Sequence, residues 1–195
     1  MKISLIVGCL FLALVTVVIE GFTIRRLRTE NQYRRALALS MAPGATIASA
    51  HLPLLHGDSV DISSGPKDSL RLVFVLTTTC PKCAALLPDW KSLADSLEGR
   101  SIFKPIAVAA SPHTDVEEWA LKNRVKMPIA VIDSGRLASQ LRAALVPQVA
   151  ILNPRGVVVY SALGVTPRDS IVRVLNRFNK GFISRSNREP TASAQ

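Results

Sequence analysis

The chain is short of acid, histidine, cysteine and aromatic side chains. Of its 195 residues, 14 are acidic against 24 basic, giving a net charge of +10; three are histidine, three are cysteine and 5% are aromatic. No second CxxC accompanies Cys80 and Cys83, and His51, His56 and His113 stand in no familiar finger spacing. That argues against a zinc site, and neither metal nor cofactor is expected. The basic residues are scattered or gathered behind the N terminus without interleaved aromatics, which argues against nucleic acid as a partner. No small-x-small tripeptide closes the N-terminal apolar run, which argues against a cleaved signal peptide.

That apolar run is the first positive feature. Ile3 to Ile19 carries no charge, and Gly21-Phe22-Thr23-Ile24 extends it past Glu20. At 1.5 Å per residue, about 22 helical residues span roughly 30 Å, the thickness of a bilayer core. Residues 1–24 are therefore expected to form an uncleaved transmembrane anchor, with Cys9 a small apolar residue inside it. Residues 25–42 read as a basic juxtamembrane stalk, able to touch anionic headgroups or simply to hold the next domain off the bilayer. Lys2 precedes the span, whereas Arg25, Arg26, Arg28, Arg34 and Arg35 follow it. Taken alone, the positive-inside rule places the domain after the span in the cytoplasm.

The chemistry concentrates in Thr77-Thr78-Thr79-Cys80-Pro81-Lys82-Cys83, between the apolar run Leu70–Leu76 and a helical pattern. Cys80 is expected at the helix N terminus, where unpaired amides and the helix dipole favour a thiolate, so it is the candidate nucleophile. Pro81 suits the first helical position. Cys83, one turn on, shares the face of Cys80 and is the candidate resolving thiol. Lys82 can lower the Cys80 pKa electrostatically or stand solvated. Half of a zinc site, an inert structural disulfide and two buried thiols are the alternatives for the same residues.

The remainder is expected as a domain over 43–180 and a disordered polar tail over 181–195. Pro43-Gly44 opens the domain, and Leu52–Leu55 and Ser59–Ile62 form a hairpin about His56-Gly57-Asp58. Leu70–Leu76 is a buried central strand. The helix from Cys80 runs through Leu97, with a kink at Pro88 and a stop at Gly99. Ile102–Ala110 is a strand, and Thr114 and Glu117 form a capping box for a helix reaching Asn123. Pro128–Ile132 is a strand, Ser134 or Gly135 starts a helix through Leu145, and Gln148–Leu152 is a strand. After the Asn153-Pro154-Arg155-Gly156 turn, Val157–Tyr160 returns antiparallel. Thr166 then caps a closing helix that carries Ile171, Leu175 and Phe178. The order implies an α/β fold with a mixed central sheet flanked by helices on both faces.

From Pro43 to Asn179, about 70% of its length, the chain resembles membrane-anchored thioredoxin-fold proteins of the TlpA/ResA type. It is also similar to the methylamine dehydrogenase accessory protein MauD around Thr79-Cys80-Pro81-Lys82-Cys83 and Pro88. The hairpin, the CxxC, the inserted β-α unit, Val146-Pro147 and the Asn153–Gly156 turn carry the resemblance. It implies a thioredoxin-like fold, a cis peptide bond before Pro147, and a substrate-binding segment at Val146 and Pro147 that faces the cysteines. It also implies a periplasmic or otherwise extracytoplasmic domain, contrary to the positive-inside count. Thr79 replaces the aromatic residue that often precedes the first cysteine, and Ala110-Ser111-Pro112-His113 lacks the acidic residue of some relatives.

The expected activity is thiol-disulfide exchange with protein disulfides, in the reducing direction, supplied by a membrane or protein electron donor. Two other readings stay open. Thr77-x-x-Cys80 matches the tail of the peroxiredoxin motif PxxxTxxC, although Val73 stands at its proline. A membrane-tethered assembly factor or chaperone could instead use the surface beside Cys80 and Pro147 for binding.

Overall fold

A computed structural model describes residues 16–28, 41–49, 51–63, 69–99, 102–132 and 145–186. The chain divides into two compact units, Met1–Leu39 and Ser40–Gln195. In the first, residues 16–28 form a helix, α1, with Val17, Val18, Ile19, Phe22, Ile24 and Leu27 exposed. Among the described residues no helix is long and apolar enough to cross a membrane. Residues 3–15 of the expected span, and 29–40 of the stalk, lie outside the described residues.

The second unit is built in the order β1 (His51–Pro53), β2 (Ser59–Asp61), β3 (Leu70–Leu76), α2 (Pro81–Leu97), β4 (Phe103–Ala109), α3 (His113–Asn123), β5 (Ile129–Val131), β6 (Gln148–Leu152), β7 (Val158–Leu163) and α4 (Arg168–Ser186). β1 and β2 pair as the expected antiparallel hairpin. The other five strands form one sheet ordered β5-β4-β3-β6-β7. β3, β4 and β5 are mutually parallel, whereas β6 and β7 are antiparallel to their neighbours, so the sheet is mixed, as expected.

β3 is central because its residues are apolar on both faces. Leu72, Phe74 and Leu76 enter one cluster with Cys83, Leu86, Leu87 and Trp90 of α2, Val116 and Ala120 of α3, and Ile171 and Leu175 of α4. The Phe74 and Trp90 rings stack with centroids 5.0 Å apart. Val73 and Val75 enter the opposite cluster with Met41, Ile47, Leu52 and Ile62. Among the described residues, then, all three helices of this unit cover one face, and the hairpin and the extended segment 41–47 cover the other. The expectation of flanking helices is met on this face among the described residues. β3-α2-β4 and β4-α3-β5 both step toward the same edge, and right-handed crossovers taken in the same direction put their helices on the same face. The helix expected to run from Ser134 to Leu145 falls largely outside the described residues.

Other differences are local. Met41 is 2% exposed, so the core begins before Pro43. The segment behind it is tied to the start of β7 by Gly44 N–H to Val158 O (2.7 Å) and Ile47 N–H to Gly156 O (2.9 Å). Pro88 lies inside α2 without ending it. The Thr114–Glu117 capping box does not form: α3 starts at His113 with Pro112 in the cap position and no side-chain cap. The Ser170 and Ile171 amides in the first turn of α4 donate to Pro167 O, while the Thr166 hydroxyl turns back to Gly164 O at 3.4 Å. β7 runs on to Leu163, and α4 reaches Ser186, past the expected boundary at 180.

Candidate active site at the end of the central strand

β3 ends at Leu76, and the chain crosses Thr77-Thr78-Thr79 to α2. Cys80 is the residue that caps α2: its backbone is extended (φ −81°, ψ 110°), and its Sγ accepts the Cys83 amide at 3.1 Å. Its own carbonyl accepts the first helical bond, from Ala84 N–H at 3.1 Å, and its amide donates to Thr77 O at 3.3 Å. Pro81 fills the first helical position, where no amide is needed. An oriented amide and the positive end of a 17-residue helix both favour negative charge on the Cys80 sulfur.

Cys80 and Cys83 are joined as a disulfide with Cα atoms 5.2 Å apart. The two sulfurs differ in access. Cys83 is 1% exposed and packed into the core with Leu86 and Trp90, whereas Cys80 is only partly buried. Thr79, Pro81 and Lys82 are exposed around it.

The antiparallel register of β6 on β3 pairs Gln148 with Val75. The two residues before Gln148 therefore lie at the end of β3 from which the cysteine loop leaves. They are Val146 and Pro147, joined by a cis peptide bond. Pro147 is buried, and Val146 packs against the same core cluster as Cys80. Cys80, Cys83, Val146 and Pro147 thus meet at one end of the sheet, although Val146 lies far along the chain from Cys80.

 

Three further residues at this end carried no signal strong enough to assign them a role from sequence. The Gly164 amide donates to Pro147 O at 2.8 Å, with Gly164 at φ +86°, and Val165 beside it is 60% exposed. A glycine closing a strand was the available hint, but only the pairing of β6 with β7 brings it to Pro147. The third is Ser111, whose Oγ accepts from both the amide and the hydroxyl of Thr78 at 3.1 Å. His113 is exposed at the start of α3, and His51 and His56 are exposed on the hairpin. Among the described residues no group of histidine, cysteine and carboxylate side chains could hold a metal ion.

Comparison with known proteins agrees with this geometry. The AhpC/TSA family model matches residues 43–161, which includes both cysteines, Val146 and Pro147. The chain belongs to the AhpC/TSA family. Among solved structures, this AhpC/TSA chain is similar to StoA from Bacillus subtilis, at 21% identity and a TM-score of 0.57, over 67% of this chain and 98% of that one. It is similar to the pneumococcal exposed lipoprotein thioredoxin from Streptococcus pneumoniae, at 21% identity and a TM-score of 0.57, over 67% and 99% of the two chains. It is also similar to the thioredoxin domain of a thiol-disulfide oxidoreductase from Bacteroides vulgatus, at 16% identity and a TM-score of 0.57, over 71% and 99%. The fold is thioredoxin-like. A comparison with curated proteins finds no match.

Proposed function

We propose that this chain is a membrane-anchored thiol-disulfide oxidoreductase that reduces disulfides in other proteins. The observation that carries the reading is the unequal pair at the head of α2: a partly exposed, amide-capped Cys80 over a Cys83 that is 1% exposed. An incoming protein can reach the first sulfur but not the second.

In the reduced enzyme the Cys80 thiolate attacks one sulfur of a substrate disulfide. A Cys80-substrate bond forms, the substrate S–S bond breaks, and the other substrate sulfur leaves as a thiolate and takes up a proton. Cys83, after losing its proton, attacks the Cys80 sulfur and expels the second substrate thiolate. The substrate has then gained two electrons and two protons, and the enzyme holds the Cys80-Cys83 disulfide. A dithiol donor must return two electrons before the next cycle. Val146 and Pro147, at the same end of the sheet as Cys80, are the segment against which a substrate chain can lie.

Residues 3–24 supply the anchor in this reading, with the domain on the extracytoplasmic side. The positive-inside count opposes that side, but a protein-disulfide substrate is common in oxidising compartments and rare in the cytosol. A peroxidase is the weaker reading. Val73, at the position of the peroxiredoxin proline, is fully buried in mid-β3 between Ile106 and Ala150. A central strand bonded on both sides has no place for proline.

The test is the reduction potential of the full-length protein in detergent, equilibrated in dithiothreitol or glutathione buffers with Cys80 and Cys83 alkylation read by mass. A two-electron couple near −270 mV, roughly that of thioredoxin, supports the reductase, and one near about −120 mV makes the protein an oxidant. Absence of any Cys80-Cys83 couple would overturn dithiol exchange and leave the peroxidase or assembly-factor readings.

A further inference from the structure

We propose that Ser111 is a positioning residue for Cys80, acting through Thr78. The inference rests on thiol exchange at Cys80 and adds a determinant of its reactivity.

The backbone ladder between β3 and β4 ends with Ala110 N–H donating to Leu76 O at 2.9 Å. Beyond this rung the strands part, β3 into the cysteine loop and β4 toward α3. Ser111 continues the connection with its side chain: the Thr78 amide and the Thr78 hydroxyl both donate to its Oγ at 3.1 Å, across 33 positions of sequence. Both residues are partly buried, which shields these bonds from competing water. Serine before a helix often serves as its cap, but here Pro112 holds the cap position of α3 without a side-chain bond. The Ser111 hydroxyl is engaged across the loop instead.

The consequence for Cys80 follows from what is fixed on either side of it. α2 is held to the core by Leu86, Leu87 and Trp90. The turn before it closes on itself through Cys80 N–H to Thr77 O, and Ser111 fastens that turn to the end of β4. The Cys80 Sγ meets the Cys83 amide only while turn and helix keep their mutual position. Releasing the turn weakens the amide-sulfur bond, destabilises the thiolate and, with it, the reduced form.

The experiment compares the full-length wild type, Ser111→Ala and Ser111→Thr in dithiothreitol buffers, with the Cys80 pKa taken from the pH dependence of alkylation and Tm recorded in parallel. Ser111→Ala is expected to shift the exchange equilibrium toward the disulfide by about fivefold, the scale of one ordinary hydrogen bond, or about 20 mV more negative. The Cys80 pKa rises in the same variant, and Ser111→Thr restores both. Thr78→Val, which keeps the amide and loses the hydroxyl, is expected to move both readouts the same way by less, and serves if Ser111→Ala does not fold. Unchanged potential and Cys80 pKa, whatever the Tm, overturn the positioning role. A wild type without a Cys80-Cys83 couple overturns the functional reading itself, a distinguishable failure.

Discussion

The two ends of the central sheet differ in chemistry and in shape. The end where β3 and β6 meet the cysteine loop carries the partly exposed Cys80, with Val146, Pro147 and Gly164 at the same end of the sheet. At the opposite end lies a cleft of about 380 Å³ lined in part by Leu54, Val60, Arg71, Lys104, Met127 and Pro128. Among the described residues no cysteine lines it. Its neighbourhood is instead held by polar contacts: Asp61 accepts from the Ser63 amide and hydroxyl at 2.8 Å and from the Ser49 hydroxyl at 2.7 Å. Burial lowers the pKa of the Arg71 guanidinium, and the nearby Asp61 charge opposes that shift. Exchange with a protein disulfide requires an accessible sulfur at an edge, not an enclosing cavity. Concavity is therefore a poor guide to this site.

The sharpest test of that contrast is activity. Cys80→Ser is expected to reduce disulfide reduction to background, and Cys83→Ser to trap a mixed disulfide visible by non-reducing electrophoresis. Asp61→Ala, at the cleft end, should leave turnover within about twofold in the same assay. Full activity in Cys80→Ser would end the assignment.

Stability is expected to divide the ends the other way. Gly156, in the turn at the cleft end, has φ +73°, and a Cβ there would meet Ser63 Cβ at 2.9 Å and the Ile47 and Ser63 carbonyl oxygens at 3.0 Å. Gly156→Ala should cost about 3 kcal/mol by denaturant unfolding, combining a left-handed backbone with a clash. Asp61→Ala should cost about 2 kcal/mol, since three hydrogen bonds to a carboxylate are lost. Gly164→Ala, at the cysteine end, meets open space and carries only the φ penalty, about 1 kcal/mol. Lys104→Ala, at an exposed position on the cleft rim, should change stability by about 0.5 kcal/mol or less. A Gly164 variant costing as much as the Gly156 variant would contradict the comparison.

Much of the site was legible because its signals are local. Cys80-Pro81-Lys82-Cys83 after an apolar strand specifies cap, first helical turn and second thiol within four residues, and the structure places all of them so. The hairpin and the Asn153–Gly156 turn were readable for the same reason: the Asn153 side chain accepts from the Arg155 and Val157 amides, a bond pattern confined to five residues. Thr114 and Glu117 were misleading because a capping box is a preference that local geometry can override, and Pro112 takes the cap position.

The sequence by itself determined the kinds of element, the dithiol and its place at a helix start, since these depend on neighbours a few residues apart. Tertiary structure decided what depends on strand register and crossover direction. Those terms put the three described helices of this unit on one face, carried Ser111 to Thr78 and Gly164 to Pro147, and set Val146 and Cys80 at the same end of the sheet. Each such contact joins residues distant in the chain, and its energy is set by the packing of the whole sheet rather than by either residue's own preference.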